Sequence, residues 1–266
     1  MMKFLKKFYL GIIMVFLYIP IVILILQSFN AGESRAKWEG FSLHWYGELL
    51  KDERILQALY VTVSMAVLAM IVSTILGTLA AIGIHAMKKR PQALMMTLTN
   101  LPNTMPDIVT GISLMLLFLF TKVERGYVTM LLAHITFDTP YVILSVLPKL
   151  AQMDPDLEDA ALDLGCTPTQ AFFKVILHDI MPGVISGFMM AFTMSLDDFV
   201  ISYFVTGSSF ITLPVEIYNY TKKPIHPKIY ALFTLMFLAI LVIMVVMNLL
   251  QAKDAGRKGR KRGVRA

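Results

Sequence analysis

The sequence predicts an all-α integral membrane protein with six transmembrane helices. Hydrophobic residues make up 57% of its 266 residues, whereas charged residues make up only 16%. Soluble domains carry about 25% charged residues, so the chain departs strongly from that class. The apolar residues are gathered in long runs, and a helix needs roughly 20 of them to cross the hydrocarbon core of a bilayer. We therefore expect a single membrane domain over 1–252, followed by a short tail over 253–266.

Six apolar runs define the predicted spans. In chain order they cover 8–29, 58–87, 97–120, 127–150, 183–205 and 228–250. The first run follows three lysines, as the core of a signal peptide would. It is too long for a typical signal core and no small-residue cleavage site closes it, so we interpret it as a retained first helix. An even number of spans places both termini on the same side of the membrane.

The distribution of basic residues predicts that this side is the cytoplasm. With both ends inside, 15 of the 24 Lys and Arg residues lie on the inner side and nine on the outer side. The basic turn 88–90 is the clearest signal, because short basic loops are costly to translocate. The tail holds seven basic residues against Asp254. We interpret it as a membrane-proximal cytoplasmic tail and expect no nucleic-acid partner, although a basic run also suits nucleic acid.

Proline and glycine interrupt two of the predicted spans. Pro102, Pro106 and Gly111 lie near the start of the third span, and Pro140 lies inside the fourth. Proline removes an amide donor and clashes with the preceding turn. Backbone groups freed at membrane depth must be satisfied by neighbouring helices or by a water-lined cavity. Broken helices are common around transport sites, and they also occur in membrane proteins generally.

The loop between the fourth and fifth spans predicts two short cytoplasmic helices joined at a glycine. Asp154 is a good N-cap, and Pro155 suits the first helical position. Gly165 is a suitable C-terminal stop. A second cap-and-proline start at 167–168 predicts a further helix that runs toward His178.

This loop, which covers 154–182, resembles the EAA motif of ABC importer permeases. In that motif Glu-Ala-Ala is followed after three residues by Gly and, nine residues later, by Ile-x-Leu-Pro. The residues that match the first part are Asp159, Ala160, Ala161 and Gly165. Asp159 stands where the family has Glu, and Val175 and His178 replace the final Ile and Pro. The spacing is kept while several identities differ.

The resemblance implies a type I ABC importer permease (MetI-like) fold, in which the first helix of the loop docks onto a separate ATPase subunit. The implied coupling residues are Glu158, Asp159, Ala160, Ala161 and Gly165. The small residues would allow close approach, and the acids would either meet basic groups of the partner or only cap and solvate the helix. The chain has no G-x-x-x-x-G-K-[ST] segment. We therefore expect ATP to bind to the partner, with no cofactor and no catalytic residue in this chain.

Acidic residues inside the predicted spans indicate what passes through. They are Asp107, Asp138, Asp197 and Asp198, with Glu124 and Glu216 near the outer face. A charged side chain at the bilayer centre costs about 2.5–3.5 kcal/mol on insertion scales, so each aspartate is a functional candidate. No Lys or Arg lies deep in a span, and the negative field favours a cationic substrate. We expect His134 to be a packed, hydrogen-bonding residue, and no metal site, since Cys166 is the only cysteine.

The adjacent acids of the fifth span cannot face one pathway equally. Neighbouring helical residues point about 100° apart. We therefore expect one of Asp197 and Asp198 to line the pathway while the other bonds across helices, with Ser195 on the face of Asp198. Trp45 is the candidate aromatic contact for a protonated amine, although interfacial aromatic belts are the usual role for such residues.

Four segments resemble the second permease subunit of the spermidine/putrescine importers. They are 41–46, 102–108, 160–165 and 195–199. The resemblance implies a multi-pass permease in the bacterial cytoplasmic (inner) membrane, which translocates polyamines by alternating access. It also implies its partners: a homologous second permease subunit in a heterodimer, two ATP-binding subunits and a periplasmic or extracellular polyamine-binding protein.

Carried over residue by residue, the polyamine resemblance defines the substrate pathway. The pathway residues are Asp107, Asp197 and Asp198, with Ser195 and Trp45 in support. Two alternatives stay open: a permease for another small cationic solute, and an ion-coupled carrier or channel that uses the same acids without ATP.

Overall fold

The computed structural model describes residues 2–33, 37–207, 210–222, 226–242 and 245, with side chains from Lys7 onward. The regular elements in these ranges are helices, and the only strand-like feature among them is an isolated bridge between Asn30 and Phe41. The predicted all-α class is therefore confirmed. The basic tail 253–266 and the end of the predicted sixth span lie outside the described residues.

The chain divides into two compact units, one formed by 1–53 with 220–266 and one formed by 54–219. In the described part of the first unit, α1 is Met2–Ser28, α2 is His44–Leu49 and the last apolar helix is Lys228–Val242, which we label α12. The most apolar 18-residue stretch of α1 has no buried residues, so its apolar surface faces outward on all sides. A helix that is apolar all round suits lipid or partner helices.

The second unit contains most of the helices. They are α3 (Glu53–His85), α4 (Lys89–Thr104), α5 (Asp107–Phe120), α6 (Tyr127–Gln152), α7 (Leu157–Asp163), α8 (Pro168–Ala171), α9 (Leu177–Asp197), α10 (Val200–Val205) and α11 (Leu213–Thr221). A short π-helical stretch, Phe172–Ile176, joins α8 to α9 without a break.

Four helical segments are long and apolar enough to cross a membrane without a break. They are Lys7–Ser28, Glu53–His85, Tyr127–Gln152 and Pro168–Asp197. A fifth span arises if α4 and α5 are counted together, and α12 is a shorter apolar helix. The described residues therefore match five of the six predicted spans and the first part of the last, which leaves the count of six unconfirmed.

The third predicted span, 97–120, is broken near its start, as its prolines predicted. The chain leaves the helical conformation at Met105 and Pro106, and α4 and α5 meet there at 103°. The cause is local, since a proline cannot donate to the preceding turn and disfavours the α conformation of the residue before it. Met105 accordingly has an extended ψ of 144°.

The predicted fifth span, 183–205, also has different ends. The helix begins upstream at Pro168 and ends at Asp197, after which Asp198 adopts an extended conformation with a ψ of 119°. The segment Val200–Val205 forms a separate short helix. The fold therefore contains two helix breaks, at 105–106 and at 198–199.

Helices α6 and α9 form the centre of the second unit, where glycines let their backbones approach. A Cβ atom at Gly183 would lie 2.9 Å from the carbonyl oxygen of Ser145, and one at Gly187 would lie 3.0 Å from Cα of Val142. Small residues at such crossings allow the close packing that drives helix association in membranes. The buried side chains of Val142, Val146 and Ile180 complete this contact.

Candidate functional site

The two helix breaks meet at one cavity of about 360 Å³ in the second unit. The residues lining it are Pro102, Asn103, Asp107, Thr110, Phe137, Tyr141, Met194, Asp197, Asp198, Phe199, Val200 and Ile201. Asp107 is the first residue of α5, and Asp197 and Asp198 end α9. Three of the predicted pathway residues, separated by about ninety positions in the sequence, thus surround one space.

Close packing of α5 against α10 brings the two breaks together. A Cβ atom at Gly111 would lie 2.9 Å from the Phe204 ring and 3.5 Å from Cα of Ile201. A side chain at this position would push α10 away from α5. Gly111, singled out as an interruption of the third span, therefore allows the breaks to share a cavity.

The Asp198 carboxylate caps α10. Its oxygens accept hydrogen bonds from the backbone amides of Ile201 at 3.2 Å and Ser202 at 2.7 Å. Unpaired amides and the positive end of the helix dipole favour a negative group at this place. Asp198 is half-buried, whereas Asp107 and Asp197 are exposed in the isolated chain. The adjacent acids therefore differ in environment, but both line the cavity, and which of them faces the pathway stays a prediction.

A buried polar network lies beside Asp198. His134 Nδ1 lies 2.8 Å from Ser195 Oγ, and its Nε2 lies 3.0 Å from Ser202 Oγ and 3.6 Å from Asp198 Oδ2. Ser195 Oγ also donates to Asp138 Oδ2 at 2.8 Å. His134, Asp138, Ser195 and Ser202 are almost completely buried, and Asp138 Oδ1 has no hydrogen-bond partner. The expectation that His134 is a packed, hydrogen-bonding residue is confirmed.

Sequence reasoning left Asp138 and Ser202 out of the predicted site. One signal for Asp138 was available, because His134 and Asp138 are four residues apart and thus share one face of α6. Ser202 carries no such signal, since its position depends on the break at Asp198. Ser195 was predicted, and the structure places it between His134 and Asp138, behind the cavity wall formed by Met194 and Asp197.

Aromatic rings cluster next to the acidic cavity. Phe199, which lines the cavity, lies 5.6 Å from the Tyr203 ring and 4.8 Å from the Tyr218 ring. The two tyrosine rings are 5.9 Å apart. Aromatic faces attract ammonium groups, so the cluster extends the cation-favouring surface of the cavity.

Trp45 belongs to the other unit and is not among the residues that line this cavity. Its indole is 4% exposed and donates a hydrogen bond to the carbonyl oxygen of Asn30 at 2.7 Å. The ring also contacts His226 edge-on at 5.1 Å between centroids. Its predicted contact with substrate stays a prediction.

The loop 154–182, called the coupling segment from here on, contains α7, and this helix ends in a glycine motif. Gly165 has a φ of +85° and donates to the carbonyl of Leu162 at 2.8 Å, while Cys166 donates to the carbonyl of Ala161 at 3.1 Å. This pair of bonds is the Schellman arrangement, which favours glycine at the left-handed position. Thr167 and Gln170 then form a capping box at the start of α8.

Two details of the predicted loop are wrong. Asp154 is not the N-cap, because α7 starts at Leu157 and Asp156 occupies that position. The Asp154 carboxylate instead accepts from the Asp156 amide at 3.1 Å, in a turn before the helix. The second helix does not end near His178, because the π-helical stretch carries it directly into α9.

The coupling segment presents an exposed surface with apolar and acidic groups. Glu158, Asp159, Ala160 and Gly165 are exposed, whereas Ala161 is buried within the chain. Leu164 is 86% exposed and Phe173 is 62% exposed. Large apolar side chains held at such exposure by a capped turn indicate a surface that another protein covers.

Residues 73–253 match the family described as binding-protein-dependent transport system inner membrane component. This stretch contains both the acidic cavity and the coupling segment. The chain belongs to this family. Among its relatives is the putrescine transport system permease protein PotI of Escherichia coli (strain K12), 40% identical over 228 residues that cover 83% of this chain and 81% of PotI. The spermidine/putrescine transport system permease protein PotC of Haemophilus influenzae is 36% identical over 233 residues, 88% of this chain and 91% of PotC.

The fold of this permease is also that of a solved transporter. A crystal structure of an amino acid ABC transporter with histidines aligns with a TM-score of 0.52, covering 77% of the permease and 98% of that chain. The two sequences are 18% identical, so this likeness concerns the fold alone. The predicted MetI-like permease fold and the membership in the ABC importer permeases are confirmed.

Proposed function

We propose that this permease moves polyamines across the bacterial cytoplasmic membrane as one subunit of an ATP-driven importer. The observation that carries the proposal is the meeting of Asp107, Asp197 and Asp198 around a single cavity at two helix breaks. The substrate class named for the PotI and PotC relatives supports the same chemistry.

The cavity suits an aliphatic chain with protonated amines. Its carboxylates attract ammonium groups, by roughly 4 kcal/mol at 4 Å when the effective dielectric constant is about 20. Apolar and aromatic walls, from Phe137, Met194 and Phe199, suit the methylene segments between the charges. The lining contains no Lys or Arg, so an anion would find no partner among the described lining residues.

Binding at this cavity must be weak enough for release. Asp198 shares its charge with two backbone amides, so it offers less to a cation than an unbonded carboxylate would. Asp107 and Asp197 are exposed and remain partly solvated. Alternating access needs a site that can be filled from one side and emptied to the other, and shared, solvated carboxylates meet that requirement.

The proposed assembly is a heterodimer with a homologous permease, two ATP-binding subunits and an external polyamine-binding protein. In this arrangement both termini are cytoplasmic, and ATP binds to the partner subunits while this chain performs no covalent chemistry. The exposed Leu164 and the acids of α7 support docking of the coupling segment onto an ATPase. Closure of the ATPase dimer would move α7 and, through the Gly165 turn and the continuous α8–α9 helix, the break at Asp198.

Uptake of radiolabelled putrescine tests the proposal. The complete importer is expressed in a bacterial strain without its own polyamine importers, and Asp107→Asn is compared with the intact chain. We expect uptake to depend on the ATPase subunit, to be inhibited by unlabelled spermidine, and to fall in Asp107→Asn. Glu124→Gln is the matched control, because Glu124 lines a separate open cavity of about 530 Å³.

Three results would contradict the proposal. Uptake without an ATPase subunit would indicate an ion-coupled carrier. Absence of putrescine uptake by an assembled importer would indicate another solute. Equal uptake by Asp107→Asn and the intact chain would remove Asp107 from the pathway.

A further inference from the structure

One imidazole ring bridges the break between α9 and α10. His134 extends from α6 and contacts Ser195, which precedes the break, through Nδ1 and Ser202, which follows it, through Nε2. Both distances, 2.8 and 3.0 Å, are those of hydrogen bonds. The main chain between the two serines has left the helical conformation at Asp198. The ring therefore connects two helix ends that share no regular backbone hydrogen bonds across the break.

The buried carboxylate of Asp138 sets the direction of these hydrogen bonds. A serine hydroxyl has one proton, and that of Ser195 points to Asp138 Oδ2. When Asp138 is ionised, Ser195 accepts from Nδ1–H of His134. In that tautomer Nε2 of His134 carries a lone pair and can accept from the Ser202 hydroxyl, for which the Asp198 carboxylate is a second acceptor. Asp138 thus orients the ring through Ser195.

Ser202 links the oriented His134 ring to Asp198, the carboxylate proposed to bind the cation. Its hydroxyl lies against His134, and its backbone amide donates the shorter of the two bonds to Asp198, at 2.7 Å. If α10 turned or slid, this amide would leave Asp198, and the carboxylate would lose its orientation toward the cavity. Buried hydrogen bonds of this kind are costly to leave unmade, so the network resists that movement.

We propose that His134 is a positioning residue for transport: oriented by Asp138 through Ser195, it latches α10 across the helix break and keeps Asp198 aimed at the cavity. This inference rests on the proposed function, since it assigns the latch to the same cation site. Release of the latch changes the affinity of the inward or outward site for an ammonium group, whereas a purely structural buried network would change only the amount of folded protein.

Two substitutions at His134 each remove one of its two hydrogen bonds and keep the other. The amide nitrogen of Asn occupies approximately the Nδ1 position, so His134→Asn keeps the bond toward Ser195, and His134→Gln keeps the bond toward Ser202. We expect each to raise the KM for putrescine uptake about tenfold, the effect of losing one buried hydrogen bond. Ser202→Ala should act similarly, and adding it to His134→Asn should cause no further increase, because the same contact is already lost.

Thr136→Val is the matched control on α6. Thr136 is exposed and its hydroxyl bonds only to the carbonyl of Leu132 in its own helix, at 2.7 Å. The control should leave KM unchanged. An intact KM in both His134 variants, with lowered amounts of the complex, would overturn the latch and leave the network a structural one. A further increase of KM in the double variant would also contradict it.

A thiol-labelling measurement made without substrate tests the latch independently of the proposed function. Cys166 is the only native cysteine, so a Cys166→Ser, Val200→Cys chain has a single thiol, at a residue that lines the cavity next to the break. We expect a cationic thiol reagent to label it several-fold faster when His134→Asn is added. Faster labelling without putrescine uptake by the parent importer would refute only the substrate. Unchanged labelling, in an importer that transports putrescine, would refute the latch.

Discussion

Asp197 and Asp198 are adjacent in the chain but differ in exposure and in hydrogen bonding. Asp197 is the last helical residue of α9 and is exposed at the cavity, whereas Asp198 is held by the amides of Ile201 and Ser202. A carboxylate that caps a helix and faces a cavity contributes both to the local fold and to cation binding. Substitutions at the two positions therefore should not have the same consequences.

Asp198→Asn removes the charge while its side-chain oxygen can still accept one amide bond. We expect the importer to assemble and the kcat/KM of putrescine uptake to fall at least about tenfold, which corresponds to about 1.4 kcal/mol. Asp197→Asn should lower uptake with little loss of thermal stability, because the amides of Ile201 and Ser202 at the start of α10 are held by Asp198 and not by Asp197. Uptake kinetics and melting of the purified complex measure the two effects. Unchanged uptake by Asp198→Asn would exclude it from the pathway.

Each acidic residue of the site could be predicted from the sequence, whereas their position around one cavity could not. A charged side chain in an apolar run is conspicuous at Asp107 and Asp198 without any knowledge of the fold. That both lie at one cavity depends on the 103° turn after Thr104 and on the approach of α5 to α10 at Gly111. The same holds for His134, whose two partners are aligned only because the helix breaks at Asp198.

At the scale of elements, local chemistry predicted the end of α7 and the start of α8, although it placed the start of α7 too early, at Asp154. Gly165 and the Thr167-Pro168 pair predicted a stop and a start, and both are present. The run 183–205 is apolar apart from Asp197 and Asp198 and the small polar residues, so mean hydropathy alone did not reveal the end of α9 at Asp197. A local contact accompanies the break, because the Asp198 carboxylate accepts from the amides three and four residues ahead in α10.

The turn after α7 requires glycine for its backbone conformation. Gly165 has a φ of +85°, where a β-branched residue is strained by roughly 1–2 kcal/mol. No atom lies within 4 Å of a Cβ built at this position, so conformation and not space is the constraint. We expect Gly165→Val to lower putrescine transport per ATP hydrolysed in proteoliposomes.

Gly165→Asn is the control for this turn, because Asn tolerates the left-handed conformation. It should keep coupling close to that of the intact chain. If Val and Asn at this position behave alike, the Schellman turn does not transmit the movement of α7, and the proposed coupling route fails.

The crossing of α6 and α9 offers a second test at this scale. A Cβ atom at Gly183 would meet the Ser145 carbonyl oxygen at 2.9 Å, whereas one at Gly83, within α3, would meet nothing within 4 Å. We expect Gly183→Ala to destabilise the permease by about 1–3 kcal/mol, as over-packing does. Gly83→Ala should be neutral or slightly stabilising, since Ala favours helix. Thermal melting of the detergent-solubilised complex compares them, and equal stability would refute the close crossing.

At the scale of the whole molecule, charge and hydropathy together predict how the chain crosses the membrane. Six alternating spans place the basic turn 88–90, the coupling segment and the basic tail on one side, and the positive-inside rule predicts that this side is the cytoplasm. The acidic cavity then lies between that side and the outer loop that holds Lys122 and Arg125. This order is the one that an importer requires, with the ATPase contact inside and substrate delivery outside.

Single-cysteine labelling in intact cells tests this orientation in the Cys166→Ser background. A membrane-impermeant thiol reagent should label Lys122→Cys, in the turn between α5 and α6, and should leave Lys88→Cys unlabelled until the cells are opened. Asp163→Cys, exposed at the end of α7, should behave like Lys88→Cys, because the ATPase hydrolyses cytoplasmic ATP and its docking segment must lie on that side. If Asp163→Cys is labelled from outside, the coupling segment lies on the outer side of the membrane. It could then not contact an ATPase in the cytoplasm, and the predicted topology would be wrong. If neither Lys122→Cys nor Lys88→Cys is labelled in intact cells, both turns lie inside. The α4–α5 pair between them would then not cross the membrane, contrary to the predicted pattern of spans.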